Sequence, residues 1–376
     1  MPGDSYMNLK RKDLLKLLYR RNRPLALVMR DEEELLDFLY PEMTKEDIAV
    51  LLFESWSRNY VFEDFTHINE QPSSGRYVNV NPHGFRKSKN QGPWPPKTDK
   101  HFSIFFFGSS TSFGYGAPDS ETISSHLQEL FPKDGLKRVP VVYNFGRGHY
   151  YSTPERILFE QLVAKGYVPD MAIFLDGLNE FFFYEDDGTV VSDRFAQLLR
   201  GDVKKLYFRE LRKRSPVWRT MRETRKNIKR FFTKDIATKR RERHVAEPRR
   251  LQQIIDRYLI NKKLIEAVGA AFNVTTIFAW EPIASYRYDL ALHPFAREGF
   301  GKQEYSRSGY PLMAEYVKSH DLGNNFIWCA DIGRDATQPL YIDLTHYSPQ
   351  MSKMLAQAIC DFLRAHHLIT RDKPKK

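Results

Sequence analysis

The sequence predicts an α/β protein, a three-layer α/β/α sandwich around a five-stranded parallel sheet wound in the flavodoxin-like manner, with a helical N-terminal extension and a helical insertion. Three observations point there. Five short apolar runs, 102–107, 139–145, 171–175, 275–279 and 325–329, are strand-sized and nearly unbroken, the pattern of strands buried on both faces. Turn residues and helix-length segments separate them, as parallel crossovers require. With 376 residues, 41% hydrophobic and 14% aromatic, the chain has the material for a large core and is too apolar to stay disordered.

The N-terminal third precedes this pattern. Residues 1–100 read as a helical extension followed by a linker. Asp31-Glu32-Glu33-Glu34 leads into Leu35-Leu36-Asp37-Phe38-Leu39, and Thr44 is placed to cap a second helix through Ile48, Leu51, Leu52 and Phe53. Residues 70–100 turn rich in Gly, Pro, Asn and Ser, the composition of an irregular surface segment. The α/β domain is then expected over 101–370. Between the third and fourth runs lie roughly a hundred residues where one crossover helix would suffice, so a helical insertion is expected at about 190–260.

The net charge of +11 concentrates in that insertion. Residues 201–250 hold 19 Lys or Arg against 6 Asp or Glu, which leaves the rest of the chain near neutral. Such a block suits an anionic surface or polymer, and equally a solvated helical arm; no specific nucleic acid is expected. No apolar run approaches the ~18 residues of a membrane span, and no signal-peptide pattern opens the chain. As it stands the sequence reads as cytoplasmic, and as extracytoplasmic or anchored if its N-terminus has been cut. Cys329 and Cys360 show no zinc or disulfide spacing and read as buried thiols.

The chemistry-bearing residues fall at the ends of the predicted strands. The first strand runs into Gly108-Ser109-Ser110-Thr111-Ser112-Phe113-Gly114, with a helix expected through Ile123, Leu127 and Leu130. A serine there is exposed beside a helix N-terminus that favours developing negative charge. Such turns also cradle phosphates, so a phosphate or flavin binder stands beside the nucleophile reading. The second strand ends Asn144-Phe145-Gly146 and the third Gly177-Leu178-Asn179. The Ser110 N–H, the Gly146 N–H and the Asn179 amide together offer three donors to an oxyanion; ordinary turn chemistry accounts equally for Gly146 and Asn179. Near the C-terminus, Asp343-Leu344-Thr345-His346 precedes a final helix through Met354, Leu355, Ile359 and Leu363. One loop would bring His346 over Ser110 as general base and Asp343 to orient it, although Asp343 is also placed to cap the helix. Phe181 and Tyr184, in the aromatic run after Asn179, are expected either to line a substrate pocket or to pack.

Gly-x-Ser, Gly, Gly-x-Asn and Asp-x-x-His, in this order, resemble the four sequence blocks of the SGNH (GDSL-like) hydrolases over roughly residues 100–365. The resemblance implies the three-layer fold, Ser110 as nucleophile, Gly146 and Asn179 in the oxyanion hole, and His346 with Asp343 as base and orienter. Trp280-Glu281-Pro282, Tyr286-Arg287-Tyr288-Asp289, Tyr77-Val78-Asn79-Val80-Asn81 and Gly84-Phe85-Arg86 also look similar to bacterial members. Two departures stand out. The family's Gly-Asp-Ser is Gly108-Ser109-Ser110 here, which makes Ser109 a rival nucleophile, and its Gly-x-Asn-Asp ends in Glu180.

What the resemblance implies is a serine esterase acting on carboxylic esters, such as acetyl esters on carbohydrate or lipid esters, through a triad and an acyl-enzyme, with no cofactor and no metal. The partner expected is then a small-molecule, carbohydrate or lipid ester. Acyl transfer to a sugar hydroxyl uses the same residues, and a non-catalytic protein holding an anionic partner through 201–250 is the alternative from another class. The oligomeric state is not fixed by the sequence.

Overall fold

A computed structural model describes residues 38–58, 60–66, 68–131, 137–183, 247–293 and 303–368. Residues 31–37 of the helical segment expected over 31–39, most of the basic block at 201–250 and most of the expected insertion lie outside these residues.

All five expected strands form. They are β3 (His101–Gly108), β4 (Val139–Asn144), β5 (Met171–Asp176), β6 (Thr275–Trp280) and β7 (Phe326–Trp328), after a short antiparallel pair, β1 (Tyr60–Val61) and β2 (Asn69–Glu70). The five-stranded sheet has the order β4-β3-β5-β6-β7 and every pairing in it is parallel. In chain order this is 2-1-3-4-5, the doubly wound arrangement whose switch point lies beside the first strand. The carboxyl end of β3 is therefore where a ligand site is expected.

The period-two alternation of strands sorts their side chains into two cores. Ile104, Phe106, Ile173, Leu175, Ile277 and Ala279 face one side, against Ile123 and Leu127 of the helix Ile123–Leu130 and Leu355, Ile359 and Leu363 of the helix Pro349–Ala365. Phe105, Phe107, Ala172, Phe174 and Phe278 face the other, against Leu158, Phe159 and Leu162 of the helix Ser152–Ala164 and Ile265 of the helix Pro248–Ala271. Phe107, Phe174 and Phe278 stand in register on three neighbouring strands. Their rings stack at centroid distances of 4.8 Å and 5.4 Å, a ladder worth about 0.5–1.5 kcal/mol per pair beyond its burial.

In chain order the eight helices of the described residues are α1 (Lys45–Trp56), α2 (Ser110–Phe113), α3 (Ile123–Leu130), α4 (Ser152–Ala164), α5 (Leu178–Phe182), α6 (Pro248–Ala271), α7 (Glu304–Ser319) and α8 (Pro349–Ala365). The expected helix after β3 is divided. One turn, α2, stops at Gly114 with φ 86°, and the chain restarts as α3 behind the cap Thr122. Thr44 caps α1 as expected, accepting from Asp47 N at 3.2 Å. Among the described residues no helix is long and apolar enough to cross a membrane.

The segment 70–100 is irregular, as expected, but part of it leaves the surface. Val78, Val80, Phe85 and Arg86 are buried, and Arg86 N donates to Asn144 O at 2.8 Å along the outer side of β4. The Arg86 guanidinium is satisfied inside the protein, by Asp119 and the carbonyls of Phe113, Gly114 and Ala117 at 2.6–2.9 Å. Helix α1 packs through Ile48, Leu51 and Leu52 on Val78, Phe113, Tyr115 and Ile342, which sets the N-terminal region against the carboxyl end of the sheet.

Candidate active site

Strand β3 ends at Gly108, where the chain must turn tightly into α2. A Cβ at this position would stand 1.9 Å from Ser112 Oγ and 2.8 Å from Leu175 O, so only glycine fits. The two serines that follow are told apart by what they touch. Ser109 is buried and caps α2, its hydroxyl bonded to Thr111 Oγ1 at 2.8 Å. Ser110, half-buried as the first residue of α2, lies with Oγ 2.9 Å from His346 Nε2.

The loop after Leu340 supplies the rest of the chain of bonds. Asp343 Oδ2 meets His346 Nδ1 at 2.6 Å, while its Oδ1 accepts from Thr345 N at 2.8 Å and His346 N at 2.7 Å. One carboxylate thus shapes the turn and holds the imidazole. Burial alone would raise the Asp343 carboxyl; the charge of His346 and the hydrogen bonds from His346 and Thr345 outweigh it and hold the group well below the usual carboxylate range. The helix-cap role weighed for Asp343 falls to Ser348, which accepts from Met351 N and caps α8.

Asn179, in the first turn of α5 after β5, is half-buried, and its Nδ2 donates to Tyr150 O at 2.7 Å. Two expectations need correction. The Gly146 N–H, expected to face the oxyanion, donates to Asn144 Oδ1 at 2.9 Å. Asn144 also bonds Ser112 O through Nδ2, so it ties the end of β4 to α2. A Cβ on Gly146 would lie 2.4 Å from Phe113 N; the glycine is there for close packing behind α2. Phe181, offered for a substrate pocket, packs instead: it is fully buried against Trp280 and Tyr310, with Gly309 leaving it room, because the phase of α5 turns it inward. Tyr184 lies outside the described residues.

Several neighbours of the site were given no role by the sequence. Trp56, at the end of α1, sets its ring edge-on to His346 with centroids 6.1 Å apart, and the Tyr115 ring lies 5.6 Å from the same imidazole. Tyr115 donates to Glu70 Oε1, which also accepts from Gly148 N; Arg58 bonds the other oxygen at 3.2 Å. Glu281, just after β6, is fully buried and accepts hydrogen bonds from Thr111, Leu178 and Tyr347. Burial pushes its carboxyl up to about 6, against those bonds and the charge of His346.

Behind Asn179, Glu155 of α4 and Asp176 at the end of β5 receive no N–H or O–H donor among the described residues. Burial raises both well above the usual range; next come the charges of Asp176, Glu180 and Glu281 for Glu155, and those of Glu180 and Glu281 for Asp176.

No protein-family model matches the chain, and no curated protein sequence matches it. Solved structures do resemble it. They include a member of the lipolytic protein G-D-S-L family from Veillonella parvula, at 9% identity and TM-score 0.38 over 69% of this chain and 96% of that one. A carbohydrate acetylesterase family member from Sinorhizobium meliloti matches at 13% identity and TM-score 0.37, covering 70% and 98%. A psychrotrophic esterase from Pseudoalteromonas matches at 13% identity and TM-score 0.32, covering 70% and 99%.

Proposed function

We propose that this chain is a serine esterase of the SGNH (GDSL-like) kind that hydrolyses carboxylic esters through an acyl-enzyme. The observation that carries the proposal is the unbroken line of hydrogen bonds from Ser110 Oγ through both nitrogens of His346 to Asp343.

In the first step His346 Nε2 takes the Ser110 proton as Oγ bonds to the ester carbonyl carbon, and the carbonyl electrons move onto oxygen. Asp343 holds Nδ1 protonated, leaves Nε2 free to accept, and stabilises the imidazolium. The oxyanion is met by the Ser110 N–H at the start of α2 and by the Asn179 amide, whose other hydrogen holds Tyr150 O; loss of one such donor costs about 10²- to 10³-fold in turnover. When the tetrahedral species collapses, the alkoxide leaves with the proton from His346. Water then gives a proton to the same nitrogen, attacks the acyl carbon and releases the acid, and Ser110 recovers its hydrogen. Water is the one co-reactant these steps use besides the ester.

The test is hydrolysis of p-nitrophenyl acetate and longer p-nitrophenyl esters by the wild type and by Asn179→Ala. Turnover by the wild type, with the variant down about 10²-fold and still folded, is expected. A wild type with neither turnover nor labelling by a fluorophosphonate would overturn the proposal and favour a binding protein.

A further inference from the structure

Resting on the proposed esterase reaction, we propose that Glu281 is a positioning residue, whose carboxylate ties the nucleophile turn, the oxyanion loop and the base loop into one unit. Its carboxylate is not hydrogen-bonded to Ser110, Asn179 or His346. It bonds instead to the residue beside each of them.

Thr111 Oγ1, next to Ser110, donates to Oε2 at 2.7 Å. Leu178 N, next to Asn179, donates to Oε1 at 3.1 Å. Tyr347 OH, next to His346, lies 2.9 Å from Oε2 and shares its one hydrogen between that oxygen and Pro282 O at 2.7 Å. These donors lie 170, 103 and 66 residues from Glu281 along the chain, so no local turn brings the three loops together. The side chain is itself anchored through its backbone, since Glu281 N donates to Asp176 O and Glu281 O accepts from Tyr310 OH, both at 2.8 Å.

A carboxyl group at zero exposure is costly to desolvate and persists where hydrogen bonds compensate for it. Here every bond that compensates also fixes a catalytic loop. The acyl-transfer geometry tolerates little error, because a misplacement of about 1 Å from a remote change can cost on the order of 10²-fold. A clamp on three adjoining residues is a direct way to hold that geometry.

The experiment compares Glu281→Met, which keeps the volume and removes the acceptors, with Glu281→Gln. The glutamine offers a carbonyl to Leu178 N–H and an amide to the two hydroxyls. Turnover of p-nitrophenyl acetate, labelling by a fluorophosphonate and thermal melting are measured on each. Glu281→Met is expected to lose about 10- to 100-fold in kcat and in labelling rate, with KM within about threefold, and Glu281→Gln to recover most of that loss.

Tyr347→Phe and Thr111→Val each remove one arm of the clamp. Each is expected to cost about threefold or more alone and nothing further in the Met background, the non-additivity of groups that act as a unit. If Glu281→Met fails to fold, these two single variants decide. A folded Met variant within twofold of wild type, Met and Gln variants equally impaired, or both single variants at full activity would overturn the proposal. A wild type with no turnover and no labelling would instead sink the esterase reaction itself.

Discussion

Replacing Asp343 with asparagine tests the hydrogen-bond chain without removing any of its atoms from place. The asparagine oxygen can keep the bonds that Oδ1 now accepts from Thr345 N and His346 N, so the loop should hold its shape. At the Oδ2 position, however, an NH2 would face His346 Nδ1 across 2.6 Å. Two donors cannot share that contact, and the imidazole must move its proton to Nε2. The nitrogen 2.9 Å from Ser110 Oγ then has no lone pair with which to take the serine proton. Loss of the base in this manner is worth about 10³- to 10⁴-fold, or roughly 4–5.5 kcal/mol of barrier. The assay is kcat for p-nitrophenyl acetate beside the melting temperature, which should fall by only a few degrees. A folded Asp343→Asn enzyme within about tenfold of wild type would refute the assigned role of the carboxylate.

Three further changes probe the frame around the site. Glu155→Gln removes a group whose carboxyl is raised by burial. The native state then keeps a proton that the unfolded chain has released, so wild-type stability declines as pH rises above the unfolded value of about 4.3 until the folded value is passed. The glutamine variant escapes that decline, and its melting temperature should overtake wild type as pH goes from 5 to 9, by at least about 2 °C; a constant difference across that range would contradict it. Gly108→Ala puts a methyl group 1.9 Å from Ser112 Oγ and should cost about 1–3 kcal/mol and most of the activity, whereas an unchanged melting curve would show that the turn can relax. Arg86→Met leaves the buried carbonyls of Phe113, Gly114 and Ala117 without their donor, and a loss of about 3–5 kcal/mol is expected in denaturant unfolding.

The strands were readable because each is buried on both faces and so appears as a run without polar interruption. Phe102 to Phe107 needed no partner to be recognised, and the order of the crossovers then led to the carboxyl end of β3. Ser110, Asn179, Asp343 and His346 stood out as candidates because each sits at a strand end or in a short polar loop beside an apolar segment. The rest depends on contacts between distant parts of the chain. Nothing local separates Trp56 from an ordinary core aromatic, and Glu281 acquires its three donors only when the loops meet. Arg86 lies in a segment whose composition reads as surface, and only the fold surrounds it with carbonyls. Phe181 was misplaced for a simpler reason: one helical turn decides whether a residue after Asn179 faces solvent or core. For Gly146 a local signal existed, since an asparagine two residues earlier commonly captures such an N–H.

The central claim is that Ser110, and not its neighbour Ser109, forms the covalent intermediate. Fluorophosphonate-treated protein, digested and sequenced by tandem mass spectrometry, tests it most directly. The adduct is expected on Ser110 alone and should vanish in Ser110→Ala together with ester turnover. An adduct on Ser109, or undiminished turnover by Ser110→Ala, would contradict the assignment.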